Sequence, residues 1–210
     1  MVSRIAAVAL AAAALGGCAR SGGAMEPVPP PASWTSAIAD ERRAKDDSLA
    51  HDEDSPLDAG RRAAFRGLVY YPLDPSWRYA GWVEPYERPE RLSLVTTAGE
   101  VRPCERWGRV TFVREGKTLT LQIYRLLDMQ RRPGGQGLFL PFKDATTGKE
   151  TYAAGRYVDL EGPDGGPFTL DFNRAYNPSC AYGSPERFQC PVTPKENQLP
   201  IAVTAGERGP

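Results

Sequence analysis

The chain reads as mainly β, an antiparallel barrel or sandwich of eight or nine short strands with one N-terminal helix. Three observations point there. Hydrophobicity alternates with period two from Phe65 onward, glycine and proline interrupt the alternating segments at short intervals, and one early segment carries a helical period. With 41% hydrophobic and 10% aromatic residues the chain can fill a core. A domain of roughly 150 residues buries about 70% of its unfolded surface, so one folded unit is expected.

The order of elements begins with an export signal. Arg4 supplies a positive start, and an unbroken apolar run follows from Ile5 to Leu15. That run is shorter than the roughly 20 residues a membrane-spanning helix needs. Leu15-Gly16-Gly17-Cys18 then has the form of a bacterial lipobox, in which small residues admit the backbone to a peptidase and the thiol takes up a diacylglyceryl group. Lipidation at Cys18 is expected, with palmitate among the acyl chains, and several chains on one residue anchor stably where one would not. Ala19 stands where an aspartate would retain the protein at the inner membrane. The expected location is therefore the cell envelope, on the periplasmic side of the outer membrane where a cell has two.

The expected division is a signal peptide over 1–17, a lipidated tether over 18–33, a helical segment over 34–54 and a β domain over 55–210. Gly22 and Gly23 loosen the tether, and Pro27 with Pro29 to Pro31 stiffens it. The helix is expected over 34–50. Trp34, Ile38 and Leu49 form a thin apolar stripe and Glu41 with Lys45 an i, i+4 pair, so it packs lightly or lies outside the core. Pro56 prevents its continuation. Strands are expected over 68–71, 78–83, 92–96, 110–113, 118–124, 137–142, 156–160, 168–172 and 199–204. The strictest alternation is Leu119, Leu121 and Ile123 on one face, with Glu115-Gly116 as the tight turn before it. Asp164-Gly165-Gly166 reads as the turn of a hairpin between 156–160 and 168–172. That hairpin would bring Arg156 beside Asp171 and Asn173.

Several chemistries are excluded or disfavoured. Twenty-six basic residues balance 26 acidic ones, which leaves no basic footprint for nucleic acid. His51 is the single histidine and lies before the β domain, so a histidine-based nucleophile or a multi-histidine zinc site is not available there. No metal and no cofactor is expected. Gly116-Lys117-Thr118 ends like a phosphate-binding loop, but Thr111 occupies the first glycine position and a hairpin flanks it. With Cys18 lipidated, Cys180 and Cys190 are expected to pair across their short loop and Cys104 to stay free; the alternative is a pair of buried thiols. Asp144, Asp159, Asp171 and Glu207 are the carboxylates that could serve acid–base chemistry.

The stretch richest in polar and aromatic detail runs from Leu138 to Glu207. It contains Asp171-Phe172-Asn173-Arg174-Ala175-Tyr176-Asn177-Pro178-Ser179-Cys180, then Cys190-Pro191-Val192-Thr193-Pro194-Lys195-Glu196-Asn197, and Ala205-Gly206-Glu207. On these residues the chain resembles the bacterial domain-of-unknown-function family numbered 1684, over 56–208. It departs from the family pattern at Ser179, where a second proline is usual, and at Val192-Thr193, where Leu-Pro is usual. Many relatives also carry a longer N-terminal portion in place of the tether and helix. The resemblance implies no particular reaction.

Arg156 suits an anion, Asn173, Asn177 and Asn197 paired hydrogen bonds, and Tyr176 a stacking face, so these five are the candidate ligand contacts. Asp144, Asp171 and Glu207 are candidates for either structural or acid–base work, since Asp144 can bond turn amides and Arg156 can pair with Asp171. Three functions are weighed: an envelope lipoprotein binding a small polar ligand such as a sugar or carboxylate, a carboxylate-based hydrolase, and an envelope protein-interaction module. Beyond the membrane reached through the lipid, the sequence names no protein partner.

Overall fold

The computed structural model describes residues 23–128, 138–161, 167–184 and 186–209. The lipobox and Cys18, the Gly134–Gly137 segment and the Asp164-Gly165-Gly166 turn lie outside the described residues. Two antiparallel sheets face each other as a sandwich, with no closed barrel. The smaller has the order β1 (Glu26–Pro27), β2 (Arg78–Gly81), β8 (Phe168–Asp171). The larger runs β3 (Glu84–Val95), β4 (Val101–Arg114), β5 (Lys117–Leu126), β6 (Leu138–Phe142), β7 (Arg156–Val158), each strand beside the next in sequence. Three of these strands are long, at 12, 14 and 10 residues for β3, β4 and β5.

Alternation places the core. Leu119, Leu121 and Ile123 of β5 point inward with Val110 and Phe112 of β4, and meet Tyr79 of β2 and Leu170 of β8. Phe172 sits at the centre of an aromatic cluster, with ring centroids 5.3 Å from Phe142, 5.5 Å from Phe112 and 5.7 Å from Trp77. The β4–β5 turn is Glu115-Gly116, with φ of 52° and 70°. Both values lie in the left-handed region that two-residue hairpins use, because that twist matches the strands.

The register of β4 against β5 shifts between Arg106 and Gly108, leaving Trp107 as an extra residue. Such a bulge exchanges the faces of a strand. Cys104 therefore turns to the opposite face from Val110. There it joins Leu94, Tyr124, Phe139 and Tyr157 in a second buried cluster. The segment after β8 covers this face: Tyr176 exchanges backbone hydrogen bonds of 2.9 Å with Tyr157, and Thr96 bridges to Pro191.

Two expected strands take other forms. Residues 68–71 contribute a single bridge, Tyr70 to Glu207. Residues 199–204 form no ladder: the chain bends at Pro200 and Ile201, Leu199 and Ile201 bond to the backbone of Lys143 and Ala145, and the Val203 amide and carbonyl go to a side-chain pair described below. Nor do β7 and β8 form a hairpin: they belong to different sheets and connect through one bridge, Glu161 to Thr169.

The helix α1 spans Trp34–His51 and buries Trp34, Ile38 and Leu49, the three stripe residues. A second, shorter helix, α2 (Ala59–Ala64), is capped by Asp58, whose side chain accepts from the Arg61 amide at 2.8 Å. The stretch read as a tether is partly docked. Met25 is buried at 1% exposure, Val28 N–H donates to the Arg78 carbonyl, and Arg78 donates to the Pro29 carbonyl.

Candidate functional site

Arg156, the expected anion ligand, is 1% exposed, and its partner is Asp144 at 2.9 Å where the sequence suggested Asp171. The failed hairpin explains the difference. The guanidinium also donates to the carbonyls of Val203 (2.8 Å), Ala205 (2.6 Å) and Glu207 (3.1 Å). Asp144 Oδ2 accepts from the Val203 amide at 2.8 Å, and Oδ1 accepts from the Thr146 amide and hydroxyl. This pair holds the C-terminal strap where a strand would otherwise be needed. Burial pushes the Arg156 pKa down, opposed by Asp144.

Two asparagines act as splints on backbone. Asn197 Oδ1 accepts from the Gln122 amide at 2.7 Å, while Nδ2 donates to the carbonyls of Gln122 and Pro141. Asn173 does the same around Asp74, accepting from its amide at 2.8 Å and donating to its carbonyl at 2.9 Å, with a further bond to Asp171. Each thus uses both amide hydrogens and its oxygen internally. Asp171, 2% exposed, accepts from the Trp34 indole at 2.7 Å and from the Asn173 amide at 3.0 Å. Arg156, Asn197, Asp144 and Asp171 are thereby occupied inside the fold.

What remains open is a cleft of about 470 Å³ between α1 and the end of the sandwich. Arg42 and Lys45 of α1, Tyr70, Asp159, Tyr176 and Glu207 carry its chemistry. Ile38, Arg42, Lys45 and Leu49 share one face by their spacing, so the apolar stripe that docks α1 also aims both cations into the cleft. Gly206 aims Glu207: its φ is 77°, and a Cβ there would lie 2.6 Å from the Ala175 carbonyl oxygen. Glu207 is fully buried, held by Lys45 Nζ at 2.6 Å and Asn177 Nδ2 at 3.0 Å. Burial raises its pKa, and Lys45 pulls it back.

Asp159 is open to solvent, though the cleft walls surround it. Its carboxyl accepts from the Tyr176 hydroxyl at 3.3 Å. Desolvation raises its pKa, with Tyr176 and Lys45 opposing. Arg42 stacks 4.0 Å over the Tyr70 ring and donates to the Asn173 carbonyl at 3.3 Å. Its buried Nε lacks a partner among the described residues. Arg174 is spent on Glu41 (2.8 Å) and Glu161 (2.9 Å).

A second cleft, of about 280 Å³, lies against the same Lys45 and Tyr176 side chains. Lys45 Nζ is 5.1 Å from the Tyr176 ring centre and 5.7 Å from that of Tyr182. Asn177, 1% exposed, lines this cleft. Its Nδ2 is used on Glu207 and the Arg208 carbonyl, and its Oδ1 lacks a partner among the described residues.

Of the five candidate ligand contacts, the structure thus brings Asn173, Tyr176 and Asn177 to one region, and places Arg156 and Asn197 in the scaffold. Arg42, Lys45 and Tyr70 are not among the candidate site residues the sequence offers, Lys45 entering there only as a helical partner of Glu41. The 38/42/45/49 spacing was the signal that could have found the two cations.

The described cysteines are thiols: Cys104 and Cys180 buried, Cys190 half-buried. The Cys180 amide donates to Cys190 Sγ at 3.4 Å, and the Tyr152 hydroxyl lies 3.7 Å from Cys180 Sγ. A hydrogen bond between the two thiols, Cys190 donating, lowers the Cys180 pKa and raises that of Cys190, which burial raises further.

A family model described as a protein of unknown function (DUF1684) matches residues 63–208. Among solved structures, the fold is similar to the solution NMR structure of an uncharacterized protein from Haloarcula marismortui. That chain is 36% identical, with a TM-score of 0.61, and the likeness covers 84% of this chain and 94% of the other. Among curated proteins none matches. Arg42 and Lys45 precede the residues matched by the family model.

Proposed function

The chain belongs to the DUF1684 family, and we propose that it is a bacterial envelope lipoprotein, anchored through Cys18, that holds a small polar ligand in the cleft against α1. The observation that carries the reading is Asp159: a carboxyl facing the opening of a cleft of about 470 Å³, flanked by the Tyr176 ring. Concave sites with a few convergent polar groups and a perturbed titratable residue are where ligands bind. The leader and the Leu15-Gly16-Gly17-Cys18 sequence support the anchor.

The test is a titration of the full chain with a library of sugars, carboxylates and amines, followed by NMR at the amides of Lys45, Asp159 and Tyr176. Saturable shifts at these three with any one class support the reading. A library that leaves all three unmoved overturns it.

A hydrolase is the second reading. It draws on Asp159 and Glu207, two carboxyls with raised pKa that line one cleft, as an acid–base pair would. It predicts turnover of chromogenic glycosides or esters that Asp159→Asn abolishes. The interaction-module reading has less behind it: the exposed large apolar side chains among the described residues are Val69, Val95, Val101 and Val113.

A further inference from the structure

We infer that the two clefts flanking Lys45 and Tyr176 form one bipartite site for a small organic cation bearing more than one amino group. This rests on the reading of the α1 cleft as a ligand site, and adds the class of ligand and a second half to it.

Most charges in the two clefts are already used. The cations lining the clefts are Arg42, Lys45 and Arg174. Lys45 is held by Glu207, Arg174 by Glu41 and Glu161, and Arg42 by the Tyr70 ring and the Asn173 carbonyl. A carboxylate arriving at Lys45 would have to break its pair with Glu207 and leave that buried charge uncompensated, and at Arg42, which has no ion pair among the described residues, or Arg174 it would meet the carboxylates that line the same cleft. The carboxylates lining the clefts are Glu41, Asp52, Asp54, Asp159, Glu161 and Glu207. Glu41, Glu161 and Glu207 are neutralised by the pairs just named, and Asp54 approaches Arg187 at 3.6 Å. Asp159 remains in the first cleft and Asp52 in the second, bonded to the hydroxyls of Tyr176 and Ser48 respectively.

The unused hydrogen-bonding capacity of the second cleft has the same sign, whereas in the first the buried Arg42 Nε is a donor without a partner among the described residues. Asn177 Oδ1 is an acceptor without a partner, on a side chain 1% exposed that lines the second cleft. A buried acceptor left unsatisfied is costly, and an N–H donor from a ligand recovers that cost. The walls suit a cation as well. Tyr70, Tyr176 and Tyr182 present rings that already lie under or beside internal cations, the geometry of cation–π attraction. Negative surplus, an orphan acceptor and aromatic walls together call for a donor-rich cation. Lys45 and Tyr176, common to both linings, make the two halves contiguous.

The experiment uses the full chain at low ionic strength and three probes of equal length: 1,4-diaminobutane, 1,4-butanediol and succinate. Calorimetry gives affinity and NMR the location. Only the diamine is expected to bind, shifting the amides of Asp159 and Tyr176 on one side and of Asp52 and Asn177 on the other. Asp159→Asn and Asp52→Asn should each weaken it about tenfold, the loss of roughly one ionic contact. Tyr176 and Lys45 face Asp159, and its pKa lies above the ordinary range in the free protein. A bound cation favours its ionised form, so diamine affinity should rise with pH through that range, and Asp159→Asn should remove the rise. Equal binding of the diol, binding of succinate at these residues, or diamine binding unchanged in both variants would overturn the inference while leaving a ligand site in place. Absence of diamine binding also overturns it, and the broader library then decides the cleft reading on its own.

Discussion

Lys45 Nζ lies 2.6 Å from Glu207 Oε2, which joins the middle of α1 to a carboxylate with no solvent exposure in the C-terminal strap. Without this pair the helix would rest on its three apolar residues, the Trp34–Asp171 bond and a few peripheral contacts. Lys45→Ala leaves Glu207 buried and uncompensated, and is expected to lower stability by at most about 3 kcal/mol, since water reaches the lysine. The double variant Lys45→Met with Glu207→Gln should recover most of the loss. Urea melts of the three proteins check this; equal stability of wild type and Lys45→Ala would remove the pair from any structural role.

Arg156→Met should be far more damaging. It removes donors from three strap carbonyls and leaves Asp144 unpaired, at a cost of about 3–5 kcal/mol. The lesion should be local first: amide exchange at residues 203–207 should speed up before that of β4 and β5. Uniform acceleration across the sandwich would contradict the strap role.

Asp159→Asn is expected to stabilise the protein. A carboxyl whose folded pKa is raised binds its proton more tightly in the folded state. Folded-state stability therefore falls as pH climbs from the ordinary value, about 3.9, to the raised one, and stays lower above it. The variant should melt above wild type at pH 7, with the gain vanishing by about pH 3.5. A gain independent of pH would point to packing instead.

The proposed anchor on Cys18 makes a separate prediction. Labelled palmitate should enter the wild type and not Cys18→Ser, which should leave membranes while keeping its melting temperature. Equal labelling of the two would end the lipoprotein reading.

In an oxidising compartment Cys180 and Cys190 are expected to form a disulfide, with Cys104 remaining a thiol inside the second cluster. Closing so short a loop contributes roughly 2–3 kcal/mol. Mass mapping of non-reduced peptides decides the matter, and any bridge containing Cys104 would refute it.

The sandwich was legible where a local rule decides the structure. Period-two alternation located β5, the Glu115-Gly116 turn fixed its hairpin with β4, and the Trp34/Ile38/Leu49 stripe set α1 to within a residue of its end. Legibility failed where side chains replace backbone pairing. Residues 199–204 have the composition of a strand, but only Leu199 and Ile201 pair with backbone, at Lys143 and Ala145, while Val203 bonds to the side chains of Asp144 and Arg156. The face exchange at Trp107 likewise depends on a two-against-one register that no single strand displays. For the cleft, Tyr176 and Glu207 were recognisable as functional types. Lys45 was hidden because Glu41 offered it a plausible helical partner, whereas each of the two reaches across to a different segment, Glu207 and Arg174.

Met25, buried beside β1 and bridged to Phe112, would shorten the leash between a lipid on Cys18 and the sandwich. Only seven peptide steps separate it from Cys18, and at no more than about 3.6 Å each they extend about 25 Å. An anchored molecule would ride at the bilayer surface, with β1 and β2 nearest the headgroups and too little slack to wander. Encounters with a ligand or partner would then occur in the thin aqueous layer against the membrane, over an area the molecule patrols by lateral diffusion. Lengthening the segment before Met25, with the fold untouched, would change that altitude alone.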